Sequence, residues 1–322
     1  MKNKPYLVTF LLAIVVAFSG NVYSFSVDNH KVITRLSIDL INDCGIKNSI
    51  SESDVDTLVE YNVYQDKLLK KSILWHFPMP AEGSNNPIPD KKHASGYGKI
   101  VEETTFNRWV DYLEDQASKE KDLEGRLPAI GALLHFTQDL AVPSHAIPIF
   151  HPSKIANPDK LDNWDVEKLN MVKLKAKGVS ACKGLEKIGV GNVASLNADV
   201  REDTLLSLNE KLNNCPENGG ICNWTALWET NVIDTGFAYY GCGKEDMFGS
   251  NKFSCDGFDY RISTDENNQF VAVRFDAAIV ASAKLILHFM HLEPGNRSAC
   301  ADSQWVPRRK HLKCLKSTND NT

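Results

Sequence analysis

The 322-residue sequence predicts an all-α single domain with long loops and one small, disulfide-tied β-hairpin excursion. Three observations point there. Apolar residues recur at helical spacing through most of the chain, strand-like alternation is confined to two short pieces, and a turn-rich stretch runs between Cys215 and Cys255.

The elements follow in order. Lys2 and Lys4 precede an apolar run from Tyr6 to Phe18, and Val22 and Ser24 then occupy the small-residue positions of a cleavage site. This reads as a secretory signal peptide over residues 1–24, removed after Ser24, with an uncleaved membrane anchor as the alternative. The mature domain is then 25–316, followed by the polar tail 317–322, and it is expected in a periplasm or outside the cell. No later segment is long and apolar enough to cross a bilayer, so a soluble mature protein is expected.

Asn29 to Asn42 places Val32, Ile33, Leu36, Leu40 and Ile41 on one stripe, with Ser26 or Asp28 able to cap its start. Further helices are predicted at Ser53 to Tyr61, Thr104 to Ala117, Leu127 to Leu140, Lys160 to Lys177, Asn197 to Leu212, Thr225 to Ala238 and Phe275 to Met290. Pro78 to Pro89 and Pro148 to Pro158 read as loops. Phe258 to Ile262 and Gln269 to Val273 read as the strands of one hairpin.

All eight cysteines lie beyond the signal, which suits disulfides in an oxidising compartment. The simplest pairing joins Cys215 to Cys222, Cys242 to Cys255 and Cys300 to Cys314, leaving Cys44 for Cys182, though eight cysteines allow about a hundred connectivities. A zinc–thiolate site is the rival, but the close pairs lack its short ligand spacing. The net charge of −5 becomes more acidic once Lys2 and Lys4 are removed, so the surface has no general attraction for polyanions.

The most informative stretch is Gly131 to Ala146. His135 and Asp139 stand four apart on an apolar helix, so imidazole and carboxylate emerge on one face about one turn apart. Pro143 then directs the chain into a turn that can bring His145 back towards the same space. Nitrogen and oxygen donors gathered this way suit zinc. The competing reading is a His/Asp pair on a helix surface with an unrelated loop histidine.

Cleavage after Ser24 makes Phe25 the first residue, with His30 five positions on, and Asp66 precedes His76 by ten. With His135, Asp139 and His145, this pattern resembles the superfamily of zinc-dependent phospholipases C and zinc-dependent single-strand nucleases. The resemblance runs through most of the mature chain, and His-x3-Asp-x5-His is its most specific element. It implies that family's helical fold and a zinc centre. One zinc would be held by Asp66, His76, His135 and Asp139, and a second by the Phe25 amine and carbonyl, His30 and bridging Asp139. His145 would belong to a third, with Asp165 as its acid.

Two departures stand out. Phe25 replaces the family's usual first tryptophan, which main-chain ligation tolerates. The third zinc normally takes a histidine four residues before its acid, where this chain has Leu161. A second version of that motif, Asn223 to Thr230, resembles the nuclease form and carries Thr225 at the histidine position. His151 could substitute from its loop, but two zinc ions are the expectation. Bland alternatives exist for single residues: His30 as an exposed helix-start histidine, His76 as a core histidine, and Asp54 or Asp56 in place of Asp66. His288 and His291 read as structural, and His93 and His311 as exposed.

The resemblance implies metal-assisted phosphodiester hydrolysis, with Asp139 bridging the ions and Asp66 orienting or deprotonating the attacking water. The acidic balance and the absence of a Lys/Arg stripe favour phospholipase C, acting on a phospholipid at a membrane surface. A nuclease for single-stranded nucleic acid is the alternative, because Trp224, Trp228, Phe237, Tyr239 and Tyr240 suit either a lipid headgroup or a stacked base. A third reading is a binding protein of the same fold without turnover. No obligate protein partner is evident.

Overall fold

The computed structural model describes residues 26–46, 50–67, 106–147, 149, 159–162, 164–165, 182, 185, 192–216, 219–228, 240–241 and 248–291. The predicted signal peptide and polar tail, Phe25 and His76 lie outside them, as do the two predicted proline-rich loops apart from Ile149.

Helix α1 (Val27–Asp43) starts where Ser26 accepts a hydrogen bond from the Asn29 amide, one of the two caps expected. Helices α2 (Glu52–Lys67) and α3 (Phe106–Lys119) follow, and α4 (Leu123–Asp139) is capped by Asp122, which accepts from the Gly125 amide. Every residue of α4 from Ala129 to Asp139 is buried, so this helix runs through the core rather than along its surface. Helix α2 packs on it most extensively, α3 packs on it too, and the long α7 (Thr264–Met290) packs against both α1 and α4.

Pro143 opens a single turn, α5 (Pro143–Ala146), as its missing N–H and fixed φ allow at a helix start. Helix α6 (Val193–Ser207) holds that turn in place: Thr204 donates to the Leu140 carbonyl at 2.7 Å and Arg201 Nε donates to the Ala146 carbonyl at 2.8 Å. Burial lowers the Arg201 guanidinium to about 10.

The secondary structure among the described residues is thus seven helices and one two-stranded sheet, a mostly helical fold as predicted. The hairpin differs from expectation. Its strands are β1 (Lys252–Cys255) and β2 (Phe258–Arg261), joined by Asp256 and Gly257, both at positive φ. That is the backbone a two-residue Asp-Gly hairpin turn requires. Residues 269–273 belong instead to α7, whose cap Ser263 accepts from the Glu266 amide; five alternating residues were too short a window to reveal the helix around them. The predicted helix from Lys160 begins as a turn at 160–162 and that from Thr225 begins within a 3-10 turn (Trp224–Ala226); most of both predicted helices lies outside the described residues.

Disulfides join Cys44 to Cys182 and Cys215 to Cys222, as the simplest pairing has it. Cys255 is also disulfide-bonded. Among the described residues no helix is long and apolar enough to cross a membrane.

Candidate metal centre

Three helices deliver four fully or almost fully buried ligand-type side chains to one place. His30 comes from the first turn of α1, Asp66 from the last turn of α2, and His135 and Asp139 from the last turns of α4. The approach of α2 to α4 depends on Gly131: a Cβ there would stand 2.7 Å from the Leu58 carbonyl oxygen and 2.8 Å from Tyr61 Cβ. One turn further along both helices stand Asn62 and His135, and a second turn brings Asp66 and Asp139.

Asp139 sits between the two imidazoles. Its Oδ1 is 3.3 Å from His30 Nε2 and its Oδ2 is 3.5 Å from His135 Nε2, while His135 Nε2 is also 3.6 Å from Asp66 Oδ1. The rings of His30 and His135 stack with centroids 4.3 Å apart. Ligand atoms of His30, Asp66 and His135 all fall within 4.8 Å of one another, so this group can hold a metal ion.

The separations test that fit. Two donors on a tetrahedral ion with bonds of about 2.0–2.1 Å stand about 3.4 Å apart, close to the 3.3, 3.5 and 3.6 Å observed here. Hydrogen bonds from N–H to oxygen are shorter, about 2.7–3.2 Å. Among the described residues neither carboxylate oxygen of Asp66 accepts a hydrogen bond, although both are buried. A carboxylate left this way is costly in a dry interior and at a helix C-terminus, and a divalent cation offsets both costs.

The electrostatics agree. Burial raises the Asp66 carboxyl well above its ordinary range, Asp139 and Asp162 add to the rise, and His30 and His145 partly oppose it. Burial alone would lower the His30 imidazole, but Asp139 outweighs it, with help from Asp66 and Gln138, and the net shift is upward.

A second pair adjoins this group. His145, on α5, is fully buried with Nε2 3.8 Å from Asp162 Oδ2. The turn carrying Asp162 is shaped by Asp159, which accepts from the Leu161 and Asp162 amides, from Trp228 Nε1 and from the Tyr240 hydroxyl. Burial, followed by the charges of Asp159 and Asp162, raises the Tyr240 phenol well above its usual range. The Ser26 amide donates to the Asp162 carbonyl at 2.8 Å, so the chain enters α1 alongside this turn.

Of the residues singled out in the sequence, His30, Asp66, His135 and Asp139 come together and His145 lies beside them. Asp165 does not join them: it is exposed, and the acid facing His145 is Asp162, three residues earlier. The motif's four-residue spacing from Leu161 points to Asp165, but Asp159 accepts from the Leu161 and Asp162 amides and turns the chain here, and Asp162 is the acid that faces His145. Leu161 is buried and offers no donor atom. Thr225 spends its hydroxyl on Asn223, the cap of its own turn. His288 is half-buried, lowered by that burial and packed edge-on against Phe289, while His291 is exposed at the end of α7. Phe25, His76, His93, His151 and His311 lie outside the described residues.

Sequence reasoning missed Asn62, Gln138 and Thr34, which surround the two imidazoles. His30 Nδ1 faces Gln138 Oε1 at 2.6 Å and His135 Nδ1 faces Asn62 Oδ1 at 3.3 Å. The available signal was their spacing: Gln138 directly precedes Asp139, and Asn62 lies one helical turn before Asp66. Protein-family models, curated proteins and solved structures were compared with the chain, and none of them matches it.

Proposed function

We propose that this protein is an exported zinc-dependent phosphodiesterase of the phospholipase C type, with the helical fold of the zinc-dependent phospholipase C and nuclease superfamily. The observation that carries the reading is Asp139: its two oxygens face two different buried imidazoles, as a carboxylate shared between two ions must. Asp66, His135 and Asp139 would hold one zinc, joined by His76. His30 and Asp139 would hold the second, joined by the amine and carbonyl of Phe25. The entry of the chain beside Asp162 supports that last part, because it brings residue 26 to the edge of the centre.

Zinc supplies a water acidic enough to ionise near neutral pH and positive charge for the phosphoryl oxygens. The chain's own residues do the rest. Asp66 would orient the attacking water and take up its proton. The apolar surroundings of α4 keep bulk water from competing. His145 and Asp162 form the flank against which the phosphate ester lies. Export is supported by the signal-like N-terminus and by disulfides at Cys44–Cys182 and Cys215–Cys222.

The test is metal content and substrate choice together. Protein purified without chelator is expected to carry two zinc ions per chain and to hydrolyse phosphatidylcholine and a chromogenic phosphocholine ester. Activity on single-stranded DNA alone would move the assignment to the nuclease branch. Fewer than two zinc ions with no hydrolysis would leave a binding protein.

A further inference from the structure

We infer that Asn62 and Gln138 act as a shared pair of positioning residues that fix both imidazoles in one tautomer and couple the two halves of the centre. Its consequence for metal affinity rests on the proposed zinc reading; its structural content does not.

The assignment starts from Thr34. Its hydroxyl has a single proton, and this goes to the His30 carbonyl at 2.9 Å. The oxygen can therefore only accept from its other neighbours, the Asn62 and Gln138 amides at 2.9 and 3.2 Å. The amide atoms facing Thr34 are thus the nitrogens, which turns each amide's oxygen away from Thr34 and towards a histidine ring. Gln138 Nε2 also donates to Ser282 on α7 at 3.1 Å, a contact compatible with the same orientation.

Both imidazoles then have a carbonyl-type acceptor opposite Nδ1, so both must carry the proton there. Nε2 of each ring is left to face the carboxylates, where a cation would be met by a lone pair. The two amides are also joined directly, Asn62 Nδ2 donating to Gln138 Oε1 at 3.0 Å. Gln138 Oε1 consequently serves His30 and Asn62 at once, and a change at Gln138 reaches His135 through Asn62. His30, Thr34, Asn62, His135, Gln138 and Ser282 are all buried, so water cannot replace a lost partner freely.

The experiment combines ring-nitrogen NMR of the histidines in the wild-type protein with zinc titration of two variants. Long-range proton–nitrogen spectra of the wild type should show a proton on Nδ1 of both His30 and His135, with or without zinc. A ring lacking that proton would overturn the inference without any variant having to fold. Gln138→Met, which removes both amide atoms, should weaken zinc at both positions by about 10–100-fold and shift the ring signals of His135 as well as His30. Gln138→Glu, which keeps the acceptor opposite His30, should recover most of that affinity. If Gln138→Met lowers only the melting temperature, or disturbs His30 alone, the coupling is wrong. If the wild type binds no zinc, the metal reading fails while the nitrogen spectra still decide the tautomers.

Discussion

Gly131 of α4 lies so close to Leu58 of α2 that a methyl group at position 131 would stand 2.7 Å from the Leu58 carbonyl oxygen. Backbone cannot yield as a side-chain tip can, so Gly131→Ala must push the two helices apart one turn before His135. We expect a stability loss of about 1–3 kcal/mol, and weaker zinc binding measured by chelator competition on the folded variant. Unchanged stability and affinity would show that the helices separate without disturbing the ligands.

Asp139→Asn should remove both zinc ions and phosphodiester hydrolysis together, because the amide replaces one of two oxygens that face different imidazoles. Metal analysis of the purified variant checks this. Retention of two ions at the wild-type rate would take Asp139 out of the centre.

The second acid gives a paired test. Asp162→Asn should lower hydrolysis by about 10–100-fold, since Asp162 faces His145 in the interior. Asp165→Asn should leave activity within about twofold, because the residue is exposed and the acid facing His145 is Asp162. The reverse ranking would restore the alignment made from sequence.

Asp66 and His30 are both raised from their ordinary values in the metal-free protein. A group with a raised folded pKa contributes stability that is present below its unfolded pKa and lost as pH rises through the folded one. The chelated protein should therefore melt at progressively lower temperature as pH rises from about 4 upward. On the proposed zinc reading the ion would replace those protons, so its stabilising effect should grow over the same range. Melting curves with and without chelator measure the difference, with Asp66→Asn as the reference that loses most of the slope. Parallel curves would show that Asp66 and His30 exchange no protons for metal.

The sequence made the helices legible because apolar spacing follows burial: α1 buries Ile33, Leu40 and Ile41 of its predicted stripe, and α4 is apolar enough to be buried all round. His135 and Asp139 were legible for the same reason: a helix fixes the relation between positions four apart. Asp162 was not, because its direction comes from Asp159 accepting two amides and two distant side chains, Trp228 and Tyr240, which no local pattern encodes. Asn62 and Thr34 escaped notice because an amide or hydroxyl in a helix looks like solvent-facing polarity until its neighbours are known. The hairpin partner could have been found from Asp256-Gly257, a two-residue turn signal that outweighs alternation in the following segment.

The buried network around Gln138 reaches Thr34, 104 residues before it, and Ser282, 144 residues after it. Contacts that distant close late in folding, after local helices have formed. A centre braced from both sides in this way is complete only once α7 has packed onto α1 and α4, so a metal ion is expected to bind the folded chain more tightly than a fragment lacking α7.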